Sequence, residues 1–265
     1  MRYTVWSIVP IVVISGAARG AERKLKAQRG AVDPAVERVL GRLEKTDVRD
    51  ISTPVTLIKR DPVLEDEQKQ IGTLRFKQDK PNPRFLIVFD KNVNAGVVDR
   101  KKEWHAFDGK QWYTEAREST KTIVKREILR PGDKLEVFEL GKGPFPLPFG
   151  QKKDESLKHF VVTLVPPAKD DPPETDHLAC TPLPVSELAN QFKFVHFYVH
   201  KKLDLPVRIH TVSSQTAEEI VVDLPADKIK LNEGLASKDL DLPKLPSEYP
   251  VTTEPLPPPD VAQKP

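Results

Sequence analysis

Six segments with strand-like composition follow one another from residue 50 to residue 129, with no helical pattern between them. They read DISTPVTLIKR, KQIGTLRFKQ, PRFLIVFDK, AGVVDRKKEWHAFDG, KQWYTEA and KTIVKREIL. Turn residues separate them, notably Pro81-Asn82-Pro83, Asn92 to Asn94, and Asp108-Gly109. Connections this short allow only antiparallel neighbours, so the sequence predicts a meandering antiparallel sheet.

The sheet is predicted to continue after residue 158 and to carry a helix before it. Further strand patterns are HFVVTLVPP, FKFVHFYVHK, LPVRIHTVS and AEEIVVDLP. Residues 33–45 read as a helix, with Asp33 as cap and Val36, Val39, Leu40 and Leu43 as one apolar stripe. The predicted fold class is α+β and mainly β: one strongly curved antiparallel sheet, an unclosed β-barrel of about 9–11 strands. The N-terminal helix and a central helix and lid element are expected on the concave face.

The N-terminus has the form of a secretory signal. Arg2 precedes the apolar run Val5 to Ile14, and small residues lead to an expected cleavage site near Ala21. This run is too short to span the roughly 30 Å hydrocarbon layer, although an uncleaved anchor is the alternative. We therefore expect a signal peptide at 1–21, a basic linker at 22–32, the folded domain at 33–245 and a disordered Pro-rich tail at 246–265. The expected location is periplasmic or secreted.

Charge and cysteine content exclude two classes of protein. The formal net charge of +3 includes Arg2 and Arg19, so cleavage leaves no excess of positive charge that implies nucleic-acid binding. Cys180 is the only cysteine, so an internal disulfide is excluded. We expect this thiol to be buried and inert rather than a nucleophile. The role of the polar stretch from Pro166 to Pro184 is left open.

Proline occupies every second position of GPFPLPFG at residues 143–150. Because proline lacks an amide donor and disrupts helices, the segment is expected to be extended, with Phe145, Leu147 and Phe149 on one side. These side chains either plug the core of the domain or form a lid over a cavity. A short helix is expected just before this segment, at residues 132–143.

Four of these stretches resemble the LolA-like family of periplasmic lipoprotein carriers. They are GTLRF with KPNPRF, FDGKQWY, GPFPLPFG and LPVRI, in that order, and the similarity spans about residues 33–245. The resemblance implies an unclosed β-barrel capped by helices, with the Pro/Phe segment in the lid. Lys80 stands where these carriers often have a latching arginine. Lysine cannot form the same forked pair of hydrogen bonds, so Lys80 is only a candidate latch.

A half-barrel of this kind predicts a hydrophobic cavity lined by alternate residues of each strand. The sequence leaves open which side of each strand faces inward. The candidate cavity residues are Leu74, Phe76, Phe85, Ile87, Phe89, Trp104, Trp112, Phe160, Val162 and Leu164. Each buried methylene contributes roughly 0.8 kcal/mol, so an acyl chain of about fourteen methylenes gains on the order of 11 kcal/mol before association costs. We expect a monomeric carrier of the acyl chains of lipoproteins or other lipids, working with membrane-bound donor or acceptor proteins.

Two other classes of function remain open. An enzyme is disfavoured because the sequence lacks G-x-S-x-G, H-E-x-x-H, CxxC and phosphate-loop motifs, and no catalytic residue, cofactor or metal site is predicted. His196 and His200 share a strand face with Tyr198, and we expect them to be structural. The acids from Asp170 to Asp176 are expected to form a solvated loop rather than a Ca²⁺ site. An envelope sensor that uses the same fold without transport is the other class, with residues 23–29 and the tail as docking arms.

Overall fold

The structure is a computed structural model that describes residues 32–80, 82–133 and 152–256. It begins with helix α1, Pro34–Lys45, where the Asp33 carboxylate accepts a hydrogen bond from the Ala35 amide and caps the first turn. The predicted stripe of Val36, Val39, Leu40 and Leu43 is buried. The N-terminal helix is therefore confirmed.

Seven strands follow α1 in a continuous meander. They are β1 Asp50–Asp61, β2 Asp66–Lys77, β3 Arg84–Asn94, β4 Val97–Asp99, β5 Glu103–Phe107, β6 Trp112–Arg117 and β7 Thr122–Glu127. The long predicted segment at residues 95–109 divides into β4 and β5. The predicted central helix at 132–143 and the Pro/Phe segment lie largely outside the described residues.

The second half of the sheet follows a short helix, α2, Lys153–His159. Its strands are β8 Phe160–Val165, β9 Thr175–Pro182, β10 Phe192–His200, β11 Pro206–Ser213 and β12 Glu219–Asp223. Two short strands complete the described chain, β13 Lys230–Leu231 and β14 Val251–Glu254.

All fourteen described strands belong to one open sheet. The order is β14-β7-β6-β5-β3-β2-β1-β12-β11-β10-β9-β8, with β13 beside β1 and β4 beside β3. Every pairing is antiparallel except that of β14 with β7. The sheet is curved and unclosed, which confirms the predicted α+β half-barrel class. The strand count exceeds the predicted range because β9 and the short strands β4, β13 and β14 were not recognised from the sequence.

The two faces of the sheet pack against different segments. On one face, which we call the helix face, the stripe of α1 packs against β8 to β11 through Val162, Leu178, Val195 and Phe197. The opposite face of β3, β5, β6 and β7 is covered by the segment from Leu235 to Tyr249. Because α1 covers only the second half of the helix face, the first half carries a separate core cluster.

Two segments rich in proline and charge form strands, and the second of them corrects an expectation. The polar stretch from Pro166 to Pro184 contains β9, in which Leu178 and Cys180 are buried. The expected disordered tail at 246–265 instead includes β14. This strand is fixed by parallel pairing with β7, and Glu254 contacts Arg126 at 2.7 Å. Backbone pairing holds both segments although their apolar content is low.

Candidate functional site

Five predicted cavity residues lie together on the first half of the helix face. Phe76 pairs with Phe85 and Leu74 pairs with Ile87 across β2 and β3, while Phe89 lies one row further along β3. Directly paired residues of antiparallel strands share a face, so these side chains form one apolar surface, which we call the aromatic floor. All five are at most 1% exposed. The side chains of the aromatic floor are therefore inaccessible to solvent in this structure.

Two further aromatic side chains extend the floor towards β6. Phe107 on β5 pairs with Phe85, and their ring centroids are 6.2 Å apart. Tyr113 on β6 pairs with Phe107, with its ring centroid 6.4 Å from that of Phe85. The floor therefore spans β2, β3, β5 and β6.

The far end of the floor meets a charged cluster on the same face of the sheet. Glu103 pairs with Phe89, and His105 pairs with Ile87. On β6, Glu115 and Arg117 pair with His105 and Glu103 respectively. The surface thus changes from aromatic to charged along β5 and β6, and also across the sheet from β3 to β5.

Ion pairs connect this charged cluster internally. Arg117 contacts Glu103 at 3.2 Å and Glu115 at 2.6 Å, and Arg126 contacts Glu115 at 3.1 Å. Arg126 also reaches Glu254 on β14, so the strand from the expected tail completes the cluster. Paired and hydrogen-bonded charges of this kind tolerate partial burial.

His105 joins the cluster to the floor. Its Nε2 lies 2.9 Å from Glu103 Oε1, and its Nδ1 lies 2.6 Å from the Tyr113 hydroxyl. An ionised carboxylate only accepts hydrogen bonds, so Nε2 donates to Glu103. In the neutral ring, Nδ1 then accepts from the Tyr113 hydroxyl. The edge of the ring also contacts Phe89, with centroids 5.7 Å apart.

Burial and neighbouring charge shift the pKa values of this cluster. Burial alone would raise the pKa of Glu103. The hydrogen bond from His105, followed by the positive charges of protonated His105, Arg117 and Lys59, outweighs burial and lowers the pKa to about 2. Burial, reinforced by Glu115, raises the pKa of Tyr113 far above its ordinary value. Burial also lowers the pKa of Lys59, against the opposing effect of Glu103. Glu103 is therefore ionised and Tyr113 neutral at neutral pH.

The remaining predicted cavity residues lie elsewhere. Trp104 packs on the opposite face, against the cluster that contains Leu240. Trp112 alternates with Tyr113 and so also points to the opposite face. These two tryptophans are thus separated from the aromatic floor, because alternation along β5 and β6 directs their side chains to the opposite face of the sheet.

Three predicted residues on β8 share the helix face but not the floor. Phe160 and Val162 pack in the cluster formed with α1, and Leu164 is 38% exposed. Five of the ten candidates therefore form one surface, and the other five do not join it.

The predicted lid residues Phe145, Leu147 and Phe149 lie outside the described residues. The candidate latch, Lys80, is exposed and lies in the turn between β2 and β3, where it lines a polar pocket. The lid and latch roles remain predictions.

The other candidate chemical groups have structural partners. Cys180 is buried, and burial raises the pKa of its thiol to about 12. His196 contacts His177, with 2.7 Å between Nδ1 and Nε2. Burial, followed by repulsion from His177 and His210, lowers the pKa of His196 to about 4. At neutral pH the Cys180 thiol is therefore protonated and the His196 imidazole is neutral.

In the acidic stretch that begins at Asp170, the carboxylates contact separate histidine, lysine and arginine side chains. Asp171 lies 3.5 Å from His177, Glu174 contacts Lys202, and Asp176 pairs with Arg42. Within residues 32–80, 82–133 and 152–256, no group of three potential ligands is arranged to hold a metal ion.

The charged cluster was missed at the sequence level although its signal is visible. Glu103, His105 and Phe107 alternate on one strand, and Tyr113, Glu115 and Arg117 alternate on the next. Polar residues that share parity with core aromatics indicate a polar patch on the inward side of a strand. This signal competes with that of the apolar neighbours, such as Trp104, which also fit a core.

Comparison with solved structures returned similar folds at low identity. A putative outer membrane lipoprotein-sorting protein domain from Vibrio parahaemolyticus matches with a TM-score of 0.36 and 9% identity, covering 78% of this chain and 94% of that one. A LolA superfamily protein from Nitrosomonas europaea matches with a TM-score of 0.37 and 12% identity, covering 78% and 97%. MucB in the MucA/MucB complex of Pseudomonas aeruginosa gives 0.39 and 11%, covering 79% and 61%.

These matches include the superfamily that the sequence resembles. No family model and no curated relative matches the sequence. No helix among the described residues is both long enough and apolar enough to cross a bilayer.

Proposed function

We propose that this protein is a non-catalytic envelope carrier that binds the acyl chain of a lipoprotein or another lipid on the aromatic floor. The observation that carries the proposal is that the aromatic floor and the charged cluster are direct neighbours on one sheet face. An amphiphile has the same division, with an apolar chain and a polar head. The half of the face that α1 covers is a separate core cluster and takes no part in the proposal.

The closed floor sets a condition for binding. Because Phe76, Phe85 and Phe89 have no exposed surface, an acyl chain can reach them only after existing protein contacts separate. The chain would gain roughly 0.8 kcal/mol for each buried methylene, less the contacts that it replaces. The affinity for the acyl chain then depends on the difference between the free energy gained by burying the chain and the free energy of the protein contacts that it replaces. Because these two contributions partly cancel, reversible loading and release are favoured over permanent binding. We propose that the lid residues Phe145, Leu147 and Phe149 fill the space that the acyl chain leaves when it is released.

The setting of this proposal is the periplasm. The expected signal peptide at residues 1–21 supports export, and the sequence forms its fold without disulfides, since Cys180 has no partner cysteine. Membrane-bound donor and acceptor proteins are the proposed partners, with the protein itself a monomer.

Native mass spectrometry of the protein purified from its own envelope tests the proposal. We expect a co-purified acyl species that is lost on denaturation. A matched pair of variants locates it: Ile87→Thr alters the aromatic floor, whereas Leu86→Thr alters the opposite face at the adjacent, equally buried position. Loss of the acyl species in Ile87→Thr but not in Leu86→Thr supports the floor. Equal retention in both folded variants, or no acyl species in repeated preparations, contradicts it.

An envelope sensor that recognises lipid-modified proteins is the alternative use of the same surface. The two differ in the partners that they retain. A carrier should pull down many lipoproteins, whereas a sensor should pull down one dedicated membrane partner. The observation that favours a protein partner is that β8 is an edge strand of the sheet and that its Val161 is 51% exposed. An exposed edge strand can pair with a strand of another protein.

A further inference from the structure

A polar pocket lies where two turns meet at one end of the sheet. The turn between β2 and β3 supplies Asp79 and Lys80, and the turn between β5 and β6 supplies Asp108 and Lys110. Ser237 of the C-terminal segment closes one side. The pocket has a volume of about 430 Å³. It is separate from the charged cluster, which lies at the other end of the same strands.

The acidic side chains of this pocket are already engaged by protein groups. Asp108 Oδ1 accepts hydrogen bonds from the amides of Lys110, Gln111 and Trp112 at 2.7, 3.0 and 3.1 Å. Asp79 accepts from the Ser237 hydroxyl at 3.4 Å and lies 3.9 Å from Lys77 Nζ. The carboxylates of Asp79 and Asp108 therefore stabilise the turns in which they lie.

The cationic side chains retain binding capacity. Lys80 and Lys110 are exposed, and neither forms an ion pair with another described residue. Arg84 donates to Asp241 through Nη2 at 2.7 Å and to the Ser237 carbonyl through Nη1 at 3.2 Å. Its buried Nε has no hydrogen-bond partner in the described part of the chain.

The backbone fixes Arg84 in this position. Gly109 has a φ of +75°, and a Cβ at that residue would lie 2.7 Å from Arg84 Cγ and 3.2 Å from the Asn82 carbonyl oxygen. The turn therefore packs directly on the stem of the arginine side chain. Little side-chain freedom remains to be lost when a ligand binds, which favours recognition of a small anion.

We propose that this pocket binds a phosphate group, with the ammonium groups of Lys80 and Lys110 as its donors beside the fixed positive charge of Arg84. Tetrahedral oxyanions suit lysine ammonium groups, because charge-assisted hydrogen bonds are the strong ones. Two sources share this chemistry: free phosphate, and the phosphorylated head group of a lipid. The pocket adjoins the aromatic floor, since Arg84 directly precedes Phe85 and Asp108 directly follows Phe107 in the chain. The proposal does not depend on acyl binding, however.

Titration followed by ¹H–¹⁵N NMR of the full chain tests this proposal. The ligands are inorganic phosphate, glycerol 3-phosphate and a lysophosphatidic acid below its micelle concentration, with sodium chloride at matched ionic strength as reference. We expect saturable shifts of the Gly109 and Lys110 amides with each phosphate ligand and not with chloride. The double variant Lys80→Gln/Lys110→Gln should weaken binding about tenfold, because it removes two charge-assisted contacts. The charge-matched control Lys193→Gln/Lys228→Gln alters two exposed lysines outside the pocket and should bind like the wild type.

The three ligands also separate the two sources. Equal affinity for inorganic phosphate and the lysolipid supports a free-phosphate site, whereas markedly tighter lysolipid binding that still depends on Lys80 and Lys110 supports a head-group site. Absence of saturable shifts at Gly109 and Lys110 with every phosphate ligand overturns the proposal. So does unchanged affinity in the Lys80/Lys110 double variant. Neutral monoacylglycerol, added separately, reports on the aromatic floor alone, so failure of acyl binding is recognised independently.

Discussion

The hydroxyl of Tyr113 lies 2.6 Å from Nδ1 of His105, in the buried row that joins the aromatic floor to the charged cluster. Tyr113 is 4% exposed and His105 is 6% exposed. Water cannot readily replace this hydrogen bond, because both partners are enclosed by the sheet and its neighbours. The contact therefore connects the charged cluster to the packing of the floor.

Replacing Tyr113 with phenylalanine should destabilise the protein measurably. The substitution keeps the ring but removes the hydroxyl partner of His105 Nδ1, and an unsatisfied buried polar group costs about 1–3 kcal/mol. Urea unfolding followed by circular dichroism measures the change. Tyr249→Phe is the matched control, since Tyr249 packs in a different cluster, and its hydroxyl forms no hydrogen bond to a described residue. Equal stability of the two variants would contradict the role of the hydroxyl.

Glu103 should make the stability of the protein dependent on acid pH. Its folded-state pKa of about 2 lies below the ordinary value of 4.5, so the unfolded chain binds a proton first as pH falls. The stabilisation is complete above pH 4.5 and is lost as pH falls towards 2. It amounts to roughly 3 kcal/mol. Unfolding free energies measured at several pH values should fall less steeply over this range in Glu103→Gln. Parallel curves for wild type and variant would show that Glu103 does not carry the effect.

Histidines on the second half of the sheet, on the face opposite the helix face, should make stability depend on pH at higher values than Glu103 does. His196 has a pKa lowered to about 4 by burial and by His177 and His210, so it stays neutral in the fold after the unfolded chain has taken up a proton. The sheet therefore loses stability as pH falls from 6.5 towards 4. Thermal unfolding across this window should show a smaller decline in His196→Gln. His200→Gln, on the same strand but paired with Glu174, is the control. A decline unaffected by His196→Gln would refute the assignment.

Gly72 should be intolerant of a methyl group. It lies at a register shift between β2 and β3, and an added Cβ would stand 1.8 Å from the Val88 carbonyl oxygen. Gly72→Ala must move backbone, at a cost of about 1–3 kcal/mol or more, as in overpacked cores. Gly41→Ala in α1 is the matched control, because nothing lies within 4 Å of its Cβ. That change should stabilise the protein by about 0.5–1 kcal/mol. Thermal unfolding of both variants measures the contrast, and similar shifts would contradict the close approach.

The aromatic floor was predictable because β2 and β3 are apolar on alternate residues and follow clear turn signals. Phe76, Phe85 and Phe89 could therefore be chosen without coordinates. Which side of β3 lies on the helix face was not predictable, because Leu86 and Val88 are apolar too. The same ambiguity placed Trp104 and Trp112 in the cavity, although the parity of β5 and β6 directs them to the other face.

Long-range pairing explains what the sequence could not predict. β14 has four exposed residues and no hydrophobic pattern, and it forms because its backbone pairs with β7. The cluster of Glu103, Arg117 and Arg126 likewise depends on the register of three strands, which no local pattern specifies. Strand existence is a local property, whereas register and partner are not.

Photo-crosslinking with a diazirine-labelled fatty acid tests the central claim most directly. The protein is loaded with the probe, irradiated and digested, and mass spectrometry identifies the labelled peptides. Acyl binding on the aromatic floor predicts labelling of residues 72–76 and 85–89 that excess unlabelled fatty acid abolishes. Labelling confined to the opposite-face segment from Leu235 to Tyr249, or labelling that unlabelled fatty acid does not compete away, would contradict it.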